Sequence, residues 1–461
     1  MVNHWKVAGV TIFSILWFGT LLPAQQPTDW ERRLRELERK MKQLDPNFGQ
    51  PEAGSNMAER LAALERRLEA LTPPAPSPKV AESRPPVEAF VMPATSDTSQ
   101  DARGPITGLR ASRDEEERLP VAGYMDFHFN KPRGEPGLLD FHRFVLLFGH
   151  SFSDRIKFWS ELEVEHAFVE GGDEKGELEL EQAYVDFLIK PWFNFRAGMV
   201  LAPVGIINER HEPPSFNGVE RPMVETVIIP STWFDTGFGL TGDLGKGFRY
   251  RAYLMGGLDA TAFDAEEGLR GGRQKGFQTS FRNPAKVVRL EYSGVRRLTL
   301  GTSAYTGHTG FNLPGINPRV DLFDFDGRYS YKRLDFRGLF AQASISRARE
   351  LNLALQGDFG FMPNIARQMR GWYLEPAVHV MPRWRKQDLV LFTRYERFNT
   401  QHRMPEGFVP LPQFDRSAWV MGATFKPNAD VAFKFDYIVN RNRSSVVPAV
   451  NTFNIGLGWW F

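Results

Sequence analysis

From Leu119 to the C-terminus, apolar and polar residues trade places at every step, in runs of about 10 to 13 residues. A period of two is what a chain must show when one face of each strand is buried in an apolar medium and the other is solvated. Ile156, Phe158, Leu162 and Val164 alternate with Lys157, Trp159, Glu161, Glu163 and Glu165. Val431, Phe433, Phe435, Tyr437 and Val439 alternate with Lys434, Asp436 and Asn440. Phe248, Tyr250 and Leu254 stand against Arg249 and Arg251 in the same way. A soluble sandwich also alternates, but it breaks into shorter strands with charges facing outward. The runs here match the roughly 9 to 11 residues that a tilted strand needs to cross a bilayer.

Sixteen such strands fit the sequence, at 119–130, 138–150, 155–168, 177–189, 193–201, 236–243, 247–258, 284–292, 296–306, 319–329, 334–346, 370–382, 387–397, 416–426, 430–441 and 451–461. Tight connections such as Lys190 to Trp192 and Pro427 to Ala429 alternate with long ones such as Ala202 to Asp235 and Asp259 to Asn283. Short turns on one side, long loops on the other and an even strand number are the pattern of a bacterial outer-membrane barrel with both termini on the periplasmic side. The last strand places Phe453, Ile455, Leu457, Trp459 and Phe461 on one face and ends on the terminal aromatic. Leu457, Trp459 and Phe461 are therefore the candidate assembly signal, which the outer-membrane assembly machinery would capture by strand addition.

The residues before the barrel follow other rules. Val7 to Leu22 is an apolar run preceded by His4 and Lys6 and followed by Pro23-Ala24. It fits a secretory signal over 1–24; a retained N-terminal anchor is the alternative. Over 25–71, Trp30, Leu34, Leu37, Met41 and Leu44, then Met57, Leu61, Leu64, Leu68 and Leu71, recur at spacings of four and three. Each set makes a two-heptad seam, too short to stand alone in water, where helices below ~12 to 15 residues are marginal. The arm thus calls for copies of itself, or for another periplasmic surface on which two amphipathic helices would lie. Residues 72–118 are rich in Pro, Ser and charge without apolar period, a flexible or polyproline-like linker. The expected fold is an all-β transmembrane antiparallel barrel over 119–461, with short N-terminal coiled-coil helices.

Composition removes several function classes. The 461 residues include no Cys, which excludes thiolate zinc sites, catalytic thiols and disulfides. A formal charge of +2, with 57 basic and 55 acidic residues mixed locally, is not the concentrated basic face of a nucleic-acid binder. Gly237, Gly239 and Gly242 match a dinucleotide fingerprint by letter, but turn chemistry follows where a helix is required. Asp324, Asp326 and Gly327 echo a calcium loop whose first ligand position is Leu322. No catalytic residue, cofactor or metal site is expected.

Several stretches resemble the phosphate-selective porin O/P family: GYMDFHF (123–129), ELEQAYVDF (179–187), FRAGMVLAPVGI (195–206), VERP (219–222), GWYLEPAVHVM (371–381) and NIGLGWWF (454–461), in that order and spanning 121–461. The resemblance implies a sixteen-stranded trimer whose third loop folds into the pore, and passage of small hydrophilic, phosphate-like anionic solutes. Phosphate-specific members line their constriction with cations because a dehydrated oxyanion needs closely spaced donors.

On this reading the constriction loop carries Glu209, Arg210, His211, Glu212, Glu220 and Arg221. Candidate wall residues are Arg143, Arg155, Lys157, Glu161, Glu163, Glu165, Arg196, Arg249, Arg251 and Arg289. The glutamate ladder is either a solvated wall or half of a transverse field. The mixed-charge loop either narrows the pore or lies over its rim. Expected partners are outer-membrane lipids, further copies of the chain in a homotrimer, the assembly machinery and small solutes, with no nucleic acid. A structural tether between outer membrane and periplasm is a second function class. A barrel hydrolase using His128, His142 or His150 is a third, although no motif ties a nucleophile to these bases.

If the heptad arm supports the trimer, a chain starting after Arg118 will lose trimer resistance to detergent on unheated gels. Unchanged resistance would remove that role from the arm.

Overall fold

A computed structural model of the protein describes residues 122–461, apart from 167–175, 278, 280, 282, 314, 360–362 and 383. The expected signal, arm and linker lie outside the described residues. Sixteen strands form one closed antiparallel barrel in which each strand pairs with its sequence neighbours and β1 pairs with β16. They are β1 (Ala122–Pro132), β2 (Leu138–Ser153), β3 (Ile156–Glu165), β4 (Leu178–Lys190), β5 (Phe193–Leu201), β6 (Phe234–Gly245), β7 (Phe248–Met255) and β8 (Ala285–Tyr292). The second half comprises β9 (Leu298–His308), β10 (Arg319–Tyr331), β11 (Leu334–Ile345), β12 (Gln368–His379), β13 (Asp388–Arg403), β14 (Asp415–Lys426), β15 (Val431–Asn442) and β16 (Thr452–Trp460). All sixteen fall where the alternation puts them. The main difference is β13, which runs on to Arg403 because its end stays paired with β12 through Gln368 and Arg403; residues 119–121, the expected start of β1, lie outside the described residues.

Closure joins the two ends of the sequence. Gly123 N–H donates to the Phe461 carbonyl and Phe461 N–H to the Gly123 carbonyl, both at 3.0 Å. No strand is left with an unpaired edge, the condition under which a sheet can enter hydrocarbon. Tight turns of two to eight residues close one end of the barrel, and the other end carries the long loops.

The outer face is apolar. Phe323 and Phe325 on β10, Trp419 and Met421 on β14, and Phe433 and Phe435 on β15 are all exposed. Such a continuous outward band belongs against lipid. The partners of these residues in the alternation point inward: Asp324 and Asp326 on β10, Lys434 and Asp436 on β15 are buried in the lumen. Among the described residues no helix is long and apolar enough to cross a membrane, and the strands do it instead.

The inner face departs from a uniformly polar wall. Val287, Val320, Leu322, Leu339, Ala341 and Ala343 line β8 to β11 on the inside and pack with Val224, Val227, Ile228 and Trp233 of the third loop. This half of the lumen contains a hydrophobic core, which the loop needs as a seat. A helix, α1 (Ala348–Phe359), extends that core between β11 and β12 through Ala348, Leu351 and Leu355.

The glycine-rich stretch 237–242 is part of β6, paired with β5 and β7, and opens no helix. Gly198 on β5 has φ +136°, and a Cβ there would sit 2.2 Å from the Ala183 carbonyl oxygen. Only glycine fits this combination of backbone angle and close approach. Gly198→Val should therefore abolish the compact, heat-modifiable barrel on gels, whereas the same change at exposed, open Gly134, also at positive φ, should leave a folded fraction.

Candidate functional site: the lumen and its third loop

Loop 202–233 leaves β5 and returns to β6 through a neck held by one side chain. The Asn208 amide donates to the carbonyls of Ala202 (2.7 Å) and Trp233 (2.9 Å), and its oxygen accepts from Trp233 N–H (2.7 Å). A second clamp is Glu225, fully buried in the turn Val224–Ile228. Its carboxylate accepts from the N–H groups of Ile206 and Ile207, each at 2.7 Å, and from the Tyr373 hydroxyl of β12 at 2.6 Å. Burial pushes this carboxyl up to about 7 against the pull of those donors.

Between these clamps the loop crosses the lumen. Glu209 meets Arg251 of β7 at 2.9 Å. His211 Nε2 lies 2.9 Å from Glu181 of β4 and 3.1 Å from the Tyr124 hydroxyl of β1. Asn217 donates to Glu375 of β12 (3.0 Å), and Val219 N–H donates to Asp436 of β15 (2.6 Å). Glu220 accepts from Asn130 (2.9 Å) and stands 3.2 Å from His128, both on β1, while its carbonyl accepts from Arg394 of β13 (3.3 Å). Burial alone would raise the Glu220 carboxyl, but hydrogen bonding to His128 holds it well below the usual range. Glu212 has no such side-chain partner among the described residues, and burial pushes its carboxyl up to about 7. Of the six loop residues singled out in the sequence, Arg210 lies in Coulombic range of Arg328, Glu291 and Arg251. Arg221 lies in range of Arg143, Glu181 and Glu163.

On the wall, Arg143, Glu161, Glu163, Glu165, Arg196, Arg251 and Arg289 all face inward, and most of the cations are already paired. Arg143 bridges Asp126 and Glu163, each at 3.3 Å. Arg196 holds Asp186 with two bonds of 2.7 and 2.8 Å and stacks on Tyr184, 3.8 Å from the ring centre. Arg289 meets Asp326 at 2.7 Å and Asp324 at 3.6 Å. Arg249 lies opposite Asp243 and Glu291 in the ladders, with no carboxylate within salt-bridge distance among the described residues. Lys157 donates to Ser151 near the tight-turn end. Arg155 is a correction: it sits exposed in the turn between β2 and β3, since the two strands end at Ser153 and Ile156.

Sequence reasoning passed over half of the network. Glu181, Glu291, Asp324, Asp326, Glu375, Arg394, Glu396 and Asp436 are buried on inner faces. Their signal was the same alternation, carried for instance by Asp324 and Asp326 between Phe323 and Phe325. It also gave no role to the next loop, 256–284, which lies on the third: Leu269 N–H donates to the Val227 carbonyl (3.2 Å), and Arg273 donates to that of Thr232 (2.8 Å). Arg270 and Arg273 of this loop lie in Coulombic range of Glu165, and Arg273 also of Glu179 and Glu181. Loop cations thus face a carboxylate wall on β3 and β4.

Fold and lumen together define a closed sixteen-stranded transmembrane β-barrel, crossed inside by its third loop. No family model matches the chain. It belongs to the same family as a protein of Aquifex aeolicus (strain VF5) described only as uncharacterized, to which it is 36% identical over 332 residues, 69% of this chain and 75% of that one. Among solved structures it is similar to an anion-selective porin from Comamonas acidovorans, at 12% identity and TM-score 0.49, covering 74% of this chain and 98% of that one. The outer-membrane channel DcaP of Acinetobacter baumannii is similar at 11% identity and TM-score 0.48, over 74% of this chain and 96% of that one. Salmonella typhi OmpF in complex with daunomycin follows at 10% identity and TM-score 0.47, over 74% and 97%.

Replacing Glu225 by Ala strands two buried N–H groups and the Tyr373 hydroxyl, each loss being worth about 1–3 kcal/mol. Amide exchange over 202–229 should accelerate sharply in this variant while exchange in β13 to β16 is unchanged. Equal protection in both proteins would show that the apolar seat alone holds the loop.

Proposed function

We propose that the protein is an outer-membrane porin of a Gram-negative-type cell through which small hydrophilic solutes, anions included, diffuse passively. The observation that carries this reading is the third loop: a charged segment tied across the lumen of a closed barrel, facing a charged wall, sets a size limit and an orienting field together. Glu209, Arg210, His211, Glu212, Glu220 and Arg221 form the constriction in this reading, and no covalent step is called for. The motif likeness to phosphate-selective porins supports a solute channel. The tether alternative draws on residues outside those described, and no observation on the lumen favours it.

Selectivity follows from the pairing of the cations. An arginine already bonded to a carboxylate presents little net field beyond a Debye length of ~8 Å at physiological salt. Arg143, Arg196, Arg251 and Arg289 are all so bonded, whereas Arg221 and Arg249, like Lys434 of the wall and Arg270 and Arg273 of the neighbouring loop, have no carboxylate within salt-bridge distance among the described residues. A mixed wall of this kind orients dipoles more than it traps ions. The working state is a homotrimer in this proposal, inserted through capture of the last strand at Leu457, Trp459 and Phe461.

Purified protein in planar bilayers tests the reading. Stepwise ion conductance is expected, and deleting Asn208 to Arg221 should raise the single-channel current. Reversal potentials in a potassium chloride gradient should sit near zero or slightly to the anion side, with phosphate blocking chloride current only at millimolar levels. No conductance in either protein would overturn the channel. Micromolar phosphate block abolished by Arg221→Ala would replace weak selectivity by a dedicated anion site.

A further inference from the structure

The contact between the third loop and the β3–β4 wall contains a group of donors whose convergence on one point the channel reading does not require. Glu161 of β3, Glu181 of β4 and His211 of the loop each present one ligand atom, and these atoms lie within 4.8 Å of one another. All three side chains are buried, at 3%, 1% and 2% relative exposure. The Tyr124 hydroxyl completes the group, 2.8 Å from Glu161 Oε1 and 3.1 Å from His211 Nε2. We propose that Glu161, Glu181 and His211 bind a divalent transition-metal ion of the zinc type, which fastens the third loop to the barrel wall.

The imidazole is oriented for this. Its Nδ1 lies 3.0 Å from the Asn208 carbonyl, an acceptor only, so Nδ1 carries the proton. That leaves the Nε2 lone pair of the neutral ring directed at Glu181 Oε2, 2.9 Å away, where another acceptor stands. Two acceptors face to face need either a proton or a metal ion between them. A metal-bound histidine routinely shows this arrangement, its second nitrogen donating to a backbone carbonyl. Glu161 has an outer partner too, since its other oxygen accepts from the Gln182 amide.

Distance and charge agree. Tetrahedral ligands with bonds of about 2.0–2.1 Å stand roughly 3.3 Å apart, and the separations of Nε2 from Glu181 (2.9 Å) and from Glu161 (3.9 Å) bracket that value. Movements of up to about an ångström in the two flexible glutamates would close the shell, with Tyr124 at the fourth corner. A proton on His211 would supply one positive charge against two buried carboxylates. Arg143, the nearest wall cation, is engaged with Asp126 and Glu163, and Arg221 has no carboxylate within salt-bridge distance among the described residues and acts on Glu181 and Glu163 only at longer range. A divalent ion balances both carboxylates, and mixed imidazole and carboxylate donors suit zinc.

The test uses the full-length protein stripped with EDTA, loaded with zinc chloride, desalted and analysed for metal, together with its rate of trypsin cleavage after Arg210. Wild type should retain about one zinc per chain, and cleavage within the loop should slow by about tenfold on loading. Glu181→Gln, which keeps shape and hydrogen bonding, should lose both effects while its barrel remains heat-modifiable. Glu161→Gln serves if that variant does not fold. Wild type that retains no more zinc than Glu181→Gln, or whose cleavage is indifferent to zinc, overturns the site and leaves an imidazolium between the carboxylates. Neither readout involves ion current, so the result stands apart from that of the bilayer recordings.

Discussion

A bilayer offers no hydrogen-bond partners, so every backbone N–H and C=O within it must be satisfied by the chain itself. For strands that requirement has one solution, a ring without edges. The pair of bonds between Gly123 and Phe461 completes the ring here, and everything else is built on it. Once the outside is committed to lipid, the alternation sends each remaining polar side chain inward, into a space bounded on all sides by other strands. Ion pairing in the lumen is thus a consequence of closure as much as a device for solutes. Carboxylates such as Asp324, Asp326, Glu163 and Glu396 are turned into the lumen whether or not a permeant needs them, and arginines are placed beside them because a buried charge without a partner is costly.

The third loop answers a second problem raised by the same geometry. A ring of this size encloses more room than side chains fill, and part of the inner wall of β8 to β11 is apolar. Val224, Val227, Ile228 and Trp233 cover that part, while Asn208, Glu209, His211, Val219 and Glu220 reach the polar part. One segment therefore divides the lumen into a packed side and a charged side. The neighbouring loop, through Leu269, Arg270 and Arg273, thickens the division and adds cations opposite the carboxylates of β3 and β4.

The fold was legible in the sequence because its two determinants are local: a period of two, and turns whose lengths alternate. All sixteen strands could be placed from these alone. The faces were legible too, which is why Glu161, Glu163, Arg196 and Arg289 could be assigned to the inner wall. What the alternation does not carry is which inward residues meet. The partners of Arg289 lie on β10, that of Arg196 on β4, and Asp436 is over two hundred positions from the Val219 amide it receives. The grouping of Glu161, Glu181 and His211 was hidden for the same reason, since it joins two strands and a loop without a spacing motif. Arg155 was misplaced because a strand end was set one or two residues too early, and at a tight turn that is enough to move a side chain from the wall into solvent. The apolar seat was unexpected because Val, Leu and Ala on an inner face read the same as on an outer one.

In a ring of sixteen, β5 and β13 stand opposite one another, and the third loop runs from the first to Arg394 and Glu396 of the second. Hydrogen bonds between neighbouring strands resist stretching around the circumference, but they oppose flattening of the circle only weakly. A segment fixed at both ends of a diameter removes that soft mode, as a tie-rod stiffens a hoop. Lateral pressure on the barrel would then be felt first at the ends of the rod, and the shape of the opening would be governed by the loop as much as by the strands around it.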